Sequence, residues 1–253
     1  MTTAAPSPPL ASLPPPPPLS RADAVSLFLD FDGTLVEIAD RPQDVVVSPE
    51  VVEALARLSQ RLDGRVAVVS GRSLAALDHL LGAVNVAMAG SHGGEFRPAG
   101  AICADALAEP LLPDARAQLE EFGAGHPDLT VETKPFSAAI HYRTRPDLAD
   151  YVAAFGAQTA EIFGLVVKSG KMVIELSMPG SDKGNAVRRF LTLPPFAGSR
   201  PLFVGDDVTD EDAFRAIRDS AGGGILVGPM RPTLARWRLD DVAAVHRWLK
   251  ESA

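Results

Sequence analysis

Residues 25–34 read VSLFLDFDGT, and this stretch decides the fold. It is apolar up to Asp30 and then turns polar. Such a run suits a strand buried on both faces, as in a parallel sheet. Asp30 and Asp32 stand two apart, so a strand continuing regularly would put both side chains on one face. Gly33 then lets the chain turn sharply. Two carboxylates at a strand end cost stability unless a cation joins them. Magnesium accepts hard oxygen ligands and combines one or two carboxylates with phosphate and water. One carboxylate could then attack phosphorus while the other moves a proton. Asp-Gly alone marks a common turn; the whole DxDGT string behind a buried strand is far more specific.

Downstream, Ser48 is a candidate helix cap, Pro49 suits the first helical position, and Val51, Val52, Leu55, Leu58 and Leu62 recur at helical spacing. RVAVVSG (65–71) gives a second buried strand, a helix runs from Ser73 to Gly82, and NVAMAG (85–90) gives a third strand. This β-α-β-α-β order predicts an α/β fold with an open parallel, Rossmann-like sheet. Helical patterns near 113–122 and 147–163 then accompany the alternating runs LTVETK, SAAIHYR, LVVKSG and KMVIELS. They predict an inserted α+β cap domain, with one solvated sheet face, over 105–179. From Asp182 the α/β pattern resumes, so 23–104 and 180–253 form the core. Ligands of open α/β sheets bind beyond the carboxyl ends of the strands. Three strands, LFLDFDGTL, VAVVSGR and LFVGDD, turn polar there.

Composition excludes several classes. The 253 residues are 46% hydrophobic with net charge −8, which disfavours nucleic acid partners. No stretch has the length of a membrane span. The first 22 residues lack the pattern of a secretory signal, and their proline run Pro14 to Pro18 predicts a disordered tail over 1–22. The single cysteine, Cys103, allows no intrachain disulfide. The expectation is a cytoplasmic protein; the oligomeric state is open.

Four strings together resemble the haloacid dehalogenase superfamily, the aspartate-nucleophile phosphatases: DFDGT at 30–34, Ser70 followed by Gly71 and Arg72, Lys183 in DKG, and GDDVTDED at 205–212. SGR, GSHGGE, KPFSAAIHYR, KMVIEL, GSDKGNAV and GDDVTDEDAF look more closely like the trehalose-6-phosphate phosphatase family, over roughly 25–230. The insert resembles that family's C2-type cap. The resemblance implies a magnesium-dependent phosphatase. Asp30 would be the nucleophile. Asp32 would protonate the leaving sugar oxygen and then activate water. Ser70 would hold a phosphoryl oxygen and Lys183 would neutralise the charge around it. Asp206 would bind magnesium with the Asp30 carboxylate and the Asp32 main-chain carbonyl. Asp207 and Asp210 would support that site from outside, although Asp210 equally suits a first-turn helix acid.

Thr34, Gly71 and Arg72 would line the phosphate end. His92, Glu95, Lys134, His141, Arg143, Lys171 and Glu175 would contact the sugar. The alternative for the insert residues is that they decorate its solvated face. The implied substrate is a small sugar phosphate, trehalose 6-phosphate first. Sucrose phosphate or glucosylglycerol phosphate is the alternative, because the core motifs alone do not separate them. A phosphomutase and a non-catalytic regulatory subunit are weaker readings.

Overall fold

The structure is a computed structural model, and it describes residues 12–19, 24–39, 41–106, 109–170 and 172–252. In chain order its first elements are β1 (Val25–Leu29), α1 (Pro49–Arg61), β2 (Val66–Val69), α2 (Leu74–Leu81), β3 (Ala87–Gly90), β4 (Glu95–Arg97) and β5 (Asp105–Ala106). Next come α3 (Pro113–Gly125), β6 (Thr130–Thr133), β7 (Ser137–His141), α4 (Ala149–Phe163), β8 (Val166–Gly170) and β9 (Val173–Ser177). The last are α5 (Lys183–Leu191), β10 (Arg200–Gly205), α6 (Asp210–Ala216), β11 (Gly223–Val227), β12 (Trp237–Leu239) and α7 (Val242–Ser252).

Eight strands form the larger sheet in the order β12-β11-β10-β1-β2-β3-β4-β5. It is parallel from β12 to β3, and β4 and β5 add antiparallel at one edge. The apolar run of β1 splits by its two-residue period. Leu27 and Leu29 pack on one face with Leu55, Leu58, Val245 and Trp248. Phe28 packs on the other with Phe190, Phe203 and Phe214. Helices therefore cover both faces, as the continuous hydrophobicity requires. Burying a side chain such as Phe28 contributes roughly 1.5–3 kcal/mol.

The second sheet has the order β6-β7-β9-β8 and is antiparallel. Ala138, Ile140, Ile174 and Leu176 turn one face toward Leu119, Phe122 and Val152 of its two helices. The expected insert boundary at 105 falls slightly early, because Asp105–Ala106 pair with β4 in the larger sheet. Two residues carry too little periodicity to mark a strand.

Residues 12–19 correct the expectation of a disordered tail. Pro16 and Leu19 are buried. The Pro14 carbonyl accepts from Arg238 N at 3.0 Å, the Pro17 carbonyl accepts from Trp248 Nε1 at 3.1 Å, and the Leu19 carbonyl accepts from Arg61 at 2.8 Å. A proline-rich segment has few N–H groups to satisfy, so it can dock mainly through its carbonyls, with Leu19 N donating to Ser252 Oγ at 3.4 Å. Residues 1–11 and 20–23 of that expected tail lie outside the described residues. Among the described residues, no helix is long and apolar enough to cross a membrane.

Candidate active site

Parallel register brings the site together. Leu29 pairs with Val204, and Asp30 N donates to the Val204 carbonyl at 2.9 Å. The residues after β1 and after β10 therefore emerge side by side. Asp30, Asp206 and Asp210 each place a carboxylate oxygen within 4.8 Å of the others. Lys183, the first residue of α5, reaches in and donates to Asp30 Oδ1 at 2.7 Å and to Asp210 Oδ1 at 2.6 Å. Asp30 is 4% exposed, Lys183 3% and Asp210 0%.

Burial pushes the Asp30 carboxyl well above the ordinary aspartate range, and Asp210 and Asp206 add to this while Lys183 opposes it. Burial alone would lower the Lys183 ammonium, but Asp210 and Asp30 more than reverse this and hold it above the ordinary lysine range. Three acids and one lysine leave two excess negative charges when all are ionised. A divalent cation bound by hard oxygens matches that donor set. The packing agrees: a Cβ built on Gly33 would lie 2.3 Å from Asp206 Oδ2, so the Asp206 carboxylate occupies the space a side chain would fill.

The regular strand on which a common face for Asp30 and Asp32 depends stops before both residues. β1 ends at Leu29 and the chain turns through Gly33 at φ +79°. Asp32 instead meets Arg72 in a two-pronged pair, Nε to Oδ2 and NH2 to Oδ1, both 2.7 Å. Ser70 follows β2 and is 1% exposed; its Oγ accepts from Arg72 N at 3.1 Å. Thr34 is buried, and its Oγ1 has no hydrogen-bond partner among the described residues. Gly71 makes room for His92, since a Cβ there would lie 2.5 Å from His92 Nε2. Asp207 accepts from Val208 N at 2.7 Å through Oδ1, and its own N–H donates to Asp210 Oδ2 at 2.9 Å. Asp210 is thus both the first residue of α6 and a member of the carboxylate cluster.

The second sheet carries a polar face. Cross-strand register aligns Glu132, Ala139, Glu175 and Lys168 in one row. Glu175 meets His92 of the larger sheet's loop, Oε2 to Nε2 at 2.8 Å. It also accepts from Ser137 Oγ at 2.7 Å and lies 3.7 Å from Lys134 Nζ. Burial would raise the Glu175 carboxyl, but His92, Lys134 and Ser137 hold it well below the ordinary glutamate range. His141 lies 3.2 Å from Glu132. Lys168 donates to the Ser181 carbonyl at 2.6 Å, and burial lowers its ammonium below the ordinary range against the pull of Glu175.

Glu95 spends its carboxylate on Leu74 N and Ser91 Oγ, at 3.0 and 2.8 Å. Arg143 is exposed just beyond β7. Lys171 lies outside the described residues. Sequence reasoning missed Glu132 and Lys168. Strand alternation could have found Glu132, two residues before Lys134 on the same face.

The family profile described as Trehalose-phosphatase matches residues 28–243. The chain is 35% identical over 225 residues to the trehalose-6-phosphate phosphatase of Escherichia coli (strain K12), covering 88% of this chain and 84% of that protein. It is 36% identical over 212 residues to a probable trehalose-phosphate phosphatase of Sinorhizobium fredii (strain NBRC 101917 / NGR234), covering 83% and 80%. Among solved structures, a trehalose-6-phosphate phosphatase related protein is similar at TM-score 0.72 and 26% identity, over 89% of this chain and 95% of that one.

Proposed function

Because the chain belongs to the trehalose-phosphatase family, we propose that it hydrolyses trehalose 6-phosphate to trehalose and phosphate, with magnesium and through a phosphorylated Asp30. The observation that carries this reading is the buried Asp30 carboxylate, 2.7 Å from Lys183 and grouped with Asp206 and Asp210. Asp30 attacks phosphorus, and the bond from phosphorus to the sugar oxygen breaks. Asp32, released from Arg72 and protonated from solvent as substrate binds, gives that proton to the oxygen, which a poorly leaving alkoxide needs. Asp32 then takes a proton from water, which attacks phosphorus and frees Asp30 and phosphate. Lys183 offsets charge on Asp30 and on the transferring group, in a dry site where such preorganised charge is effective. Asp30, Asp206 and Asp210 would hold the magnesium ion, which supplies Lewis-acid stabilisation of the phosphoryl oxygens when bound. Above them, Glu132, Lys134, His141 and Glu175 offer hydroxyl partners for the sugar. Such a set rejects sugars that leave those groups unpaired.

Phosphate release from trehalose 6-phosphate, sucrose 6-phosphate and glucose 6-phosphate, with magnesium and with EDTA, tests the reading. Fast release from trehalose 6-phosphate that EDTA abolishes is expected. Asp30→Asn should fold normally yet lose at least about 1,000-fold in kcat, as expected for removal of a nucleophile. Equal rates on all three sugars, or near-normal turnover by Asp30→Asn, would overturn it.

A further inference from the structure

Arg231 belongs to no motif of the sequence and lies outside the acid cluster, in the segment between β11 and β12. Its guanidinium donates through NH2 to the Asp207 carbonyl at 2.6 Å and through Nε to the Asp206 carbonyl at 3.4 Å. Its NH1 pairs with Glu211 and also reaches the Pro232 carbonyl at 3.2 Å. The other oxygen of Glu211 accepts from Leu234 N at 2.8 Å. The Arg231 and Glu211 side chains are 21% and 16% exposed, so this is a partly buried clasp.

The clasp grips the segment that carries the acids. On the inner side the segment is already fixed: a Cβ on Gly205 would lie 2.2 Å from Asp210 Cγ, and Asp207 N donates to Asp210 Oδ2. Asp206 itself is pressed against Gly33. On the other side Arg231 takes the carbonyls of Asp206 and Asp207 in one planar fork. The two peptide groups flanking the Asp207 Cα are thereby held, and the first of them is the peptide that leaves the Asp206 Cα, from which the Asp206 carboxylate projects. A lysine could supply the charge but not the fork.

We propose that Arg231 is a positioning residue that aims the Asp206 carboxylate at the divalent cation, with Glu211 holding Arg231 in place. This rests on the metal reading given above. It requires that removal of the fork weaken metal binding itself, in the folded protein. Outer partners of metal ligands typically matter by about 10–100-fold in affinity.

The test is Mn2+ binding to the full chain, followed by electron paramagnetic resonance of free Mn2+ and by calorimetry with Mg2+. Wild type, Arg231→Met, Arg231→Lys, Glu211→Gln and Asp206→Asn are compared well below their melting temperatures. The expected result is about 10–100-fold weaker Mn2+ binding in Arg231→Met. A smaller loss is expected in Arg231→Lys and Glu211→Gln, and the largest in Asp206→Asn. Excess Mg2+ should restore most of the kcat of Arg231→Met, with KM for the sugar phosphate unchanged. Arg231→Met binding Mn2+ within about twofold of wild type would overturn the proposal, that being well below the outer-partner effect. If Arg231→Met does not fold, Arg231→Lys and Glu211→Gln decide, and wild-type affinity in both overturns it. A wild type that binds no Mn2+ would instead overturn the metal reading, and this proposal with it.

Discussion

Gly33→Ala asks how closely Asp206 must be placed. Position 33 has φ +79°, and a Cβ there would lie 2.3 Å from Asp206 Oδ2 and 2.4 Å from its Cγ. Ordinary contact begins at 3.4 Å, so the carboxylate must retreat by about 1 Å. A misplacement of that size costs about 100-fold in rate. The positive φ adds a separate backbone penalty of roughly 1–2 kcal/mol for a residue with a Cβ. Gly164 separates the two effects: it caps α4 at φ +66° with nothing within 4 Å of a built Cβ. Gly164→Ala should therefore show a similar loss of stability in urea melts with unchanged turnover. Gly33→Ala should show that loss together with the ~100-fold fall in phosphate release. If Gly33→Ala stays folded and turns over within about threefold of wild type, far short of that effect, the close placement of Asp206 is not what the chemistry requires.

Glu175→Gln should lower stability by about 1.5–3 kcal/mol near neutral pH, the scale of hydrogen bonds to a charged group. The folded protein holds the Glu175 carboxyl below its ordinary value of 4.5. The contribution is thus present above that pH and is lost as pH falls through the folded value. The gap between wild-type and Glu175→Gln melting curves should close in acid, and a gap constant down to pH 3 would contradict the assignment. Leu19→Ala should cost roughly 2 kcal/mol or more, as for other buried leucines, while leaving kcat unchanged. A thermal melt identical to wild type would mean that residues 12–19 do not brace the core.

The chemistry was legible because it sits on local signals. The buried run before Asp30, the strand ends at Ser70 and Asp206, and the α5 start at Lys183 each announce themselves within about ten residues. Parallel strand order then dictates that their tips share one edge. Glu132 was legible in part, since strand alternation ties it to Lys134. Arg231 was not, because nothing around it in sequence differs from an ordinary loop arginine.

The α/β class and the candidate acids, lysine and serine could be read from the chain's local pattern, since hydrophobic period and turn chemistry are properties of neighbouring residues. The folded chain alone shows that Asp32 grips Arg72, that Asp210 joins Asp30 and Asp206, that His92 meets Glu175, and that residues 12–19 reach from β12 to α7 and α1. Each of these joins residues distant in the chain or turns on a few backbone angles. Side-chain direction after a strand ends depends on those angles, and a carboxylate's partner depends on which cation the fold delivers.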